Sequence, residues 1–261
     1  MKVCVFASGS GGNCLFLSSE ESNILIDAGI SMRRINNALA QAGHTMRDIG
    51  GVLITHEHSD HILGLKMLIK HYSVPVYAPR TVANRLRGMI PEIDDCLHII
   101  PVGSEFRIGR LKITAFHTSH DTDESVGYRV DDGSVFALAT DLGCVTEEVL
   151  EALLGADTVL IESNHDVEML RFGPYPYHLK RRILSDRGHL SNEICAKLAR
   201  KLVTDGTKRV ILGHLSRENN TPLLAMSAAE KALAGLGAQL YCAPVLGCLE
   251  IKVGECEACL V

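Results

Sequence analysis

The sequence predicts an α/β fold with two sheets packed face to face between outer helices, a four-layer αββα sandwich. Short β-rich apolar runs come in groups rather than in strict alternation with helices, and amphipathic helical runs separate those groups. No linker, repeat or low-complexity stretch divides the chain, so residues 1–261 read as a single domain. With 46% hydrophobic and 22% charged residues, the composition suits a packed core and excludes disorder as the main state.

Taken in order, Val3 to Ala7, Cys14 to Leu17 and Ile24 to Ile26 are apolar runs separated by Gly and Ser turns, and they predict three strands. Ser31 is placed to cap a helix whose Met32, Ile35, Leu39 and Ala42 share a face, with Gly43 as its stop. Gly51 to Thr55 predicts a buried strand. Ile62, Leu65, Leu68, Ile69 and Tyr72 recur at three and four and predict a helix over Asp60 to Tyr72, followed by a strand at Val74 to Ala78. A meander of five strands follows at Ile99 to Val102, Ser104 to Ile108, Leu111 to Phe116, Val126 to Val130 and Val135 to Thr140, with Asp132-Gly133 as a hairpin turn. Beyond it come helices at Thr146 to Leu154, Ser191 to Val203 and Pro222 to Leu236. They are interleaved with strands at Thr158 to Ile161, Arg209 to Leu212 and Gln239 to Ala243, and a strand at Leu249 to Val253 ends the series.

Lys plus Arg total 26 against 31 Asp plus Glu, a formal charge of -5 that argues mildly against a protein wrapping nucleic acid non-specifically. Nine scattered cysteines, an odd number in a chain too large to need staples, fit a reducing compartment better than a disulfide framework. The apolar run at the N-terminus is too short for a signal segment, and no stretch approaches the ~18 residues that span a bilayer. A cytoplasmic protein without a membrane partner is expected.

The strongest chemical signal is Thr55-His56-Glu57-His58-Ser59-Asp60-His61, placed where a buried strand ends and a helix begins. In an extended segment alternate side chains share a face, so His56 and His58 can bind one metal ion. Asp60 and His61, in the first helical turn, can serve a second. Packing has no use for this group, although an acid alone suits a helix start. With no Cys in the set, the donors suit two divalent ions of the Zn, Mn or Fe kind.

This cluster resembles the signature of the metallo-β-lactamase-fold metallohydrolases, and the resemblance extends over the whole chain. It implies a further His for the first metal, for which Phe116-His117-Thr118-Ser119-His120 offers two candidates, with His120 preferred because His117 lies closer to the strand. It also implies Asp141 as the carboxylate bridging both metals, His214 as the last ligand of the second, and Asp27 as a buried residue that orients ligands. Two bridged ions sharing a hydroxide imply hydrolysis, with Asp60 counted among the catalytic groups. The redox branch of the superfamily usually alters this cluster, whereas here it keeps its hydrolase form.

Two further segments, Leu160-Ile161-Glu162-Ser163-Asn164-His165-Asp166 and Gly188-His189-Leu190-Ser191, are similar in order to those of the tRNA-3'-processing branch. By that likeness Glu162 orients His189, and His189 is the general acid for a departing sugar oxygen; the role of His165 stays open. Between them, Arg171, Lys180, Arg181, Arg182 and Arg187 face a single acid, Asp186, with Phe172, Tyr175 and Tyr177 interleaved. Lys180, Arg181, Arg182 and Arg187 are the candidate phosphate contacts, against the plainer reading of a solvated helix face.

Together with Ser8-Gly9-Ser10-Gly11-Gly12-Asn13, Gly173-Pro174-Tyr175-Pro176 and His214-Leu215-Ser216-Arg217-Glu218-Asn219-Asn220, these motifs resemble the WalJ/YycJ-like subgroup of bacterial metallo-β-lactamase-fold proteins. That resemblance implies 5'-to-3' exonuclease action on DNA and a repair role. The 73 residues from Asp141 to His214 leave no room for the extra domain of the β-CASP RNA nucleases. Two other readings compete: hydrolysis of a small ester, lactone or thioester by the same centre, and a metal-bearing regulatory protein with no turnover. Cys256-x-x-Cys259 lacks a partner pair for zinc and reads better as a tail.

Overall fold

A computed structural model describes residues 1–20 and 22–254. The first sheet contains β1 (Lys2–Ala7), β2 (Cys14–Ser19), β3 (Ser22–Ile26), β4 (Gly51–Leu53), β5 (Val76–Ala78), β6 (Leu97–Ile99) and β14 (Leu249–Lys252), in the order β14-β1-β2-β3-β4-β5-β6. The second contains β7 (Glu105–Ile108), β8 (Leu111–His117), β9 (Val126–Asp131), β10 (Val135–Ala139), β11 (Thr158–Glu162), β12 (Arg209–Gly213) and β13 (Gln239–Cys242), in the order β13-β12-β11-β10-β9-β8-β7. In each sheet antiparallel pairs occupy one half and parallel pairs the other; β3-β4-β5-β6 and β10-β11-β12-β13 are the parallel runs.

The sheets pack through Val3, Val5, Ile24, Ile26 and Leu53 on one side and Ile113, Tyr128, Phe136, Leu160 and Ile211 on the other. The alternate residues Cys4, Phe6, Leu25, Val52 and Ile54 face outward, onto α1 (Met32–Gln41), α3 (Leu65–Tyr72) and α4 (Arg80–Met89). On the second sheet Ala137, Val159, Ile161, Val210 and Leu212 pack under α5 (Glu147–Leu153), α8 (Asn192–Thr204) and α9 (Pro222–Leu233). Strands buried on both faces read as unbroken apolar runs, which is why the period-2 pattern is faint in the sequence. The four layers are those the sequence implies.

Several elements differ from expectation. Asp60 to Tyr72 is not one helix but two, α2 (Ser59–Ile62) and α3, because the Gly64 N–H donates to the Ala28 carbonyl at 2.8 Å and turns the chain. The strand expected at Ile99 to Val102 is β6, shifted to 97–99 and paired parallel to β5 in the first sheet rather than opening the meander. Helix α4 carries no strong sequence signal. Ser31 begins α1, but its hydroxyl makes no capping bond, whereas the hydroxyls of Thr146, Ser191 and Thr221 each accept a backbone N–H. Two short helices, α6 (Val167–Phe172) and α7 (Tyr177–Ile183), fill the segment between β11 and α8. Cys4, Cys14, Cys96 and Cys195 are buried as free thiols, and Cys256 and Cys259 lie outside the described residues.

Candidate metal centre

The C-terminal ends of β3, β4, β8, β10, β11 and β12 deliver Asp27, the His56–His61 segment, His120, Asp141, Glu162 and His214 to one edge of the sandwich. Asp27, Asp141 and His214 leave their strands with left-handed backbone, φ 60°, 58° and 53°. A non-glycine residue there costs of order 1 kcal/mol or more, so its surroundings must hold it. They do: the Asp27 N–H donates to the Leu53 carbonyl at 2.8 Å, and the His214 N–H donates to Ser8 Oγ at 2.8 Å.

Asp27 Oδ1 accepts the Thr55 N–H at 2.9 Å, and its Oδ2 lies 2.7 Å from His61 Nδ1. With Nδ1 engaged, His61 turns Nε2 toward Asp60 Oδ2 at 3.5 Å and Asp141 Oδ2 at 3.4 Å. His120 is oriented in the same way, its Nδ1 3.3 Å from the Gly188 carbonyl and its Nε2 3.6 Å from Asp141 Oδ1. His214 Nδ1 stands 3.1 Å from Asp141 Oδ2. His56, His58 and His120 bring one ligand atom each within 4.8 Å of one another, as do Asp60, His61 and His214; Asp141 does so with His56 and His61. The residues named as ligands are thus gathered in two adjoining groups with Asp141 between them. His117 is on the surface against Glu148.

Electrostatics match a cation site. Burial opposes ionisation of Asp141, but the imidazoles of His214 and His61 hold it well below the usual carboxylate range. Burial likewise opposes a charge on His61, yet Asp27 and Asp141 push it well above the ordinary imidazole value. Burial and the neighbouring His61 push His56 well below it. His56 Nε2 is buried without a hydrogen-bond partner among the described residues, and Asp141 Oδ2 and His214 Nδ1, 3.1 Å apart, meet without good hydrogen-bond geometry. Such atoms cost roughly 1–3 kcal/mol each unless something satisfies them. Imidazoles and carboxylates converging in this way fit a divalent metal ion.

Beside the candidate ligands, Glu162 is fully buried and accepts the Leu142 N–H at 2.7 Å through Oε2, while its Oε1 lies 2.7 Å from His189 Nδ1. Burial alone would lower His189, but the Glu162 charge and hydrogen bond raise it to about 9. His189 and Glu162 have polar atoms within 4.8 Å of those of Asp141 and His214. His165 is buried behind this pair with neither ring nitrogen hydrogen-bonded among the described residues.

The basic residues are more committed than their charge implies. Lys180 Nζ donates to the carbonyls of Arg171 and Gly173 at 2.8 and 2.7 Å, and Arg187 Nε donates to the His120 carbonyl at 2.8 Å. Arg182 pairs with Asp121, and Arg181 lies over the exposed Tyr177 ring at 5.9 Å. Sequence reasoning singled out neither Asn13 nor Thr55. The Asn13 amide nitrogen lies 3.0 Å from His61 Nε2 and 3.4 Å from the Asp60 carbonyl, and Thr55 Oγ1 lies 3.1 Å from both His56 Nδ1 and His61 Nδ1. Their signal is slight: one polar residue closing a glycine run, and one preceding the histidines.

A β-lactamase superfamily domain model matches residues 22–215, a span that takes in all of the candidate ligand residues. The chain belongs to the metallo-β-lactamase-fold superfamily. Within it the chain belongs with the WalJ/YycJ-like subgroup. It is 41% identical over 235 residues to exodeoxyribonuclease YycJ of Bacillus anthracis, covering 89% of each chain. It is 39% identical over 237 residues to exodeoxyribonuclease WalJ of Streptococcus pneumoniae, covering 89% of this chain and 88% of that one. Among solved structures, the fold is shared with the metallo-β-lactamase fold protein YhfI of Bacillus subtilis at TM-score 0.73 and 16% identity, over 96% of this chain and 99% of that one. Superfamily membership and the His/Asp cluster together make this member a metal-dependent hydrolase. No helix among the described residues is long and apolar enough to cross a membrane.

Proposed function

We propose that this hydrolase is a dinuclear phosphodiesterase of the cytoplasm that removes nucleotides from DNA 5' ends, with a role in repair. The observation that carries the reading is the Glu162–His189 pair at 2.7 Å beside the ligand cluster. Hydrolysis of a phosphodiester expels a sugar oxygen that must be protonated, and an imidazolium near pKa 9 remains charged at neutral pH to do so. The exodeoxyribonuclease names of the two relatives support the choice of DNA.

Two Zn, Mn or Fe ions, held by His56, His58, His120 and by Asp60, His61, His214 with Asp141 shared, would supply charge to activate water and to neutralise the phosphate. Asp27 and the Gly188 carbonyl fix the ligand rings of His61 and His120. Glu162 holds the His189 proton on Nδ1 and leaves Nε2–H as the donor to the leaving oxygen. Arg182, through Asp121, and Arg187, through the His120 carbonyl, steady the loop that carries His120.

The test is release of nucleotides from a labelled duplex by protein loaded with Mn or Zn. Asp60→Ala is expected to lower release at least about 100-fold, and His189→Ala about 100- to 10,000-fold, the range of a lost general acid. No release by loaded wild-type protein, equal release by Asp60→Ala, or turnover of thioesters or lactones in place of DNA would overturn the reading.

A further inference from the structure

We propose that Asp121 is a further ligand of the ion that His56, His58 and His120 would hold, and that its carboxylate raises the affinity of that site for Mn relative to Zn. The inference rests on the two-metal reading and goes beyond its ligand set. Asp121 follows His120 in the loop after β8. Its Oδ1 is buried 3.2 Å from His120 Nε2 and 3.9 Å from His58 Nε2, meeting neither in good hydrogen-bond geometry. His120 has only Nε2 left for an ion, since Nδ1 faces the Gly188 carbonyl at 3.3 Å. Asp141 Oδ1 lies 3.6 Å from that same Nε2.

The loop is pinned residue by residue. The Gly143 N–H donates to the Ser119 carbonyl at 2.7 Å, Arg187 Nε donates to the His120 carbonyl at 2.8 Å, and Thr122 Oγ1 donates to Glu57 Oε1 at 2.7 Å. Arg182 Nε takes the other oxygen of Asp121, Oδ2, and so leaves Oδ1 to the histidines. Burial opposes a charge on Asp121, but the Arg182 hydrogen bond and the His120 imidazole hold its carboxyl below the ordinary value. A fixed, ionised oxygen between two imidazoles calls for a cation.

Position and donor type give the carboxylate its purpose. Asp121 borders the cleft beside His189, where a bare carboxylate would repel a phosphodiester and a metal-bound one would not. His56, His58, His120 and Asp141 alone would complete a tetrahedral set that suits zinc. Asp121 adds a donor beyond that set, and carboxylate oxygen is the donor type that suits Mn.

Calorimetric titration of Mn and of Zn into the metal-free full chain tests this. Asp121→Asn keeps an acceptor for Arg182 and loses the charge, whereas Arg182→Gln loosens the loop and keeps the carboxylate. Asp121→Asn is expected to weaken binding of one of two Mn ions at least about 10-fold, no less than the loss of a residue that merely orients a ligand, and to weaken Zn binding less. Arg182→Gln is expected to fall between wild type and Asp121→Asn, and Asp121→Glu to recover part of the lost Mn affinity. Melting temperatures of the metal-free variants are expected to stay near wild type. Unchanged Mn affinity in Asp121→Asn would overturn the ligand role. Equal losses of Mn and Zn in both Asp121→Asn and Arg182→Gln would overturn it too, and leave Asp121 as a brace for the His120 loop. Wild-type protein that takes up no metal, or only one ion, would overturn the two-metal reading instead.

Discussion

Glu162 is a fully buried carboxylate whose acceptors are taken by His189 and by two backbone N–H groups, those of Leu142 and Leu190. Its charge is the reason His189 titrates near 9, so replacing it should change a pH profile before it changes the fold. In Glu162→Gln the alkaline limb of the rate profile is expected to fall from about 9 toward the ordinary imidazole value of about 6.5, costing about 30-fold in rate at pH 8 with little loss at pH 6. An unshifted limb would show that another group titrates in the reaction. Asp27 acts on a different atom. By holding His61 Nδ1 at 2.7 Å it presents Nε2 to the cluster, and Asp27→Asn is expected to weaken metal binding about 10- to 100-fold in a chelator competition assay.

Among elements, close backbone approach positions the site. A Cβ on Gly29 would stand 1.6 Å from the Asp60 carbonyl oxygen and 2.6 Å from the Asn13 nitrogen, where the Asn13 N–H donates to Asp60 at 2.8 Å. Gly29→Ala must part three segments that meet at the candidate ligands, and is expected to cost about 1–3 kcal/mol in denaturant unfolding and to loosen metal binding. Gly88, exposed in α4 with nothing within 4 Å of a Cβ, is the opposite case. Gly88→Ala is expected to add about 0.5–1 kcal/mol by the same measurement. The contrast marks what the sequence makes legible. The histidine cluster is legible from its own spacing at a strand end, whereas Asp141 and His214 come only through the family resemblance, since an isolated acid or histidine after an apolar run carries no signal of its own. What could not be read is non-local. The break at Gly64 answers to the Ala28 carbonyl, β6 pairs in the first sheet rather than the second, and α4 buries only Val82, Ala83 and Leu86. Counting charges found Lys180, Arg182 and Arg187 but could not show that carbonyls and Asp121 already engage them.

For the whole molecule, the metal edge couples stability to pH in opposite senses with and without metal. In metal-free protein His61, His189 and His214 are all raised, so each contributes stability that is full below about 6.5 and is lost as pH climbs through its folded value, near 9 for His189. Asp60 and Asp141 are lowered, so their contribution is present above about 3.8 and is lost as pH falls. Metal competes with protons for the nitrogens of His61 and His214, so its affinity rises with pH over the range in which the metal-free form weakens. The gap in melting temperature between Mn- or Zn-loaded and chelator-treated protein is therefore expected to widen from pH 6 to pH 8.5. At a free metal concentration of about 1,000 times Kd, linkage gives roughly 4 kcal/mol, or on the order of 10 °C for a chain of this size. A gap that is constant or narrows with pH would mean that the histidines at the strand ends are not where the ions bind.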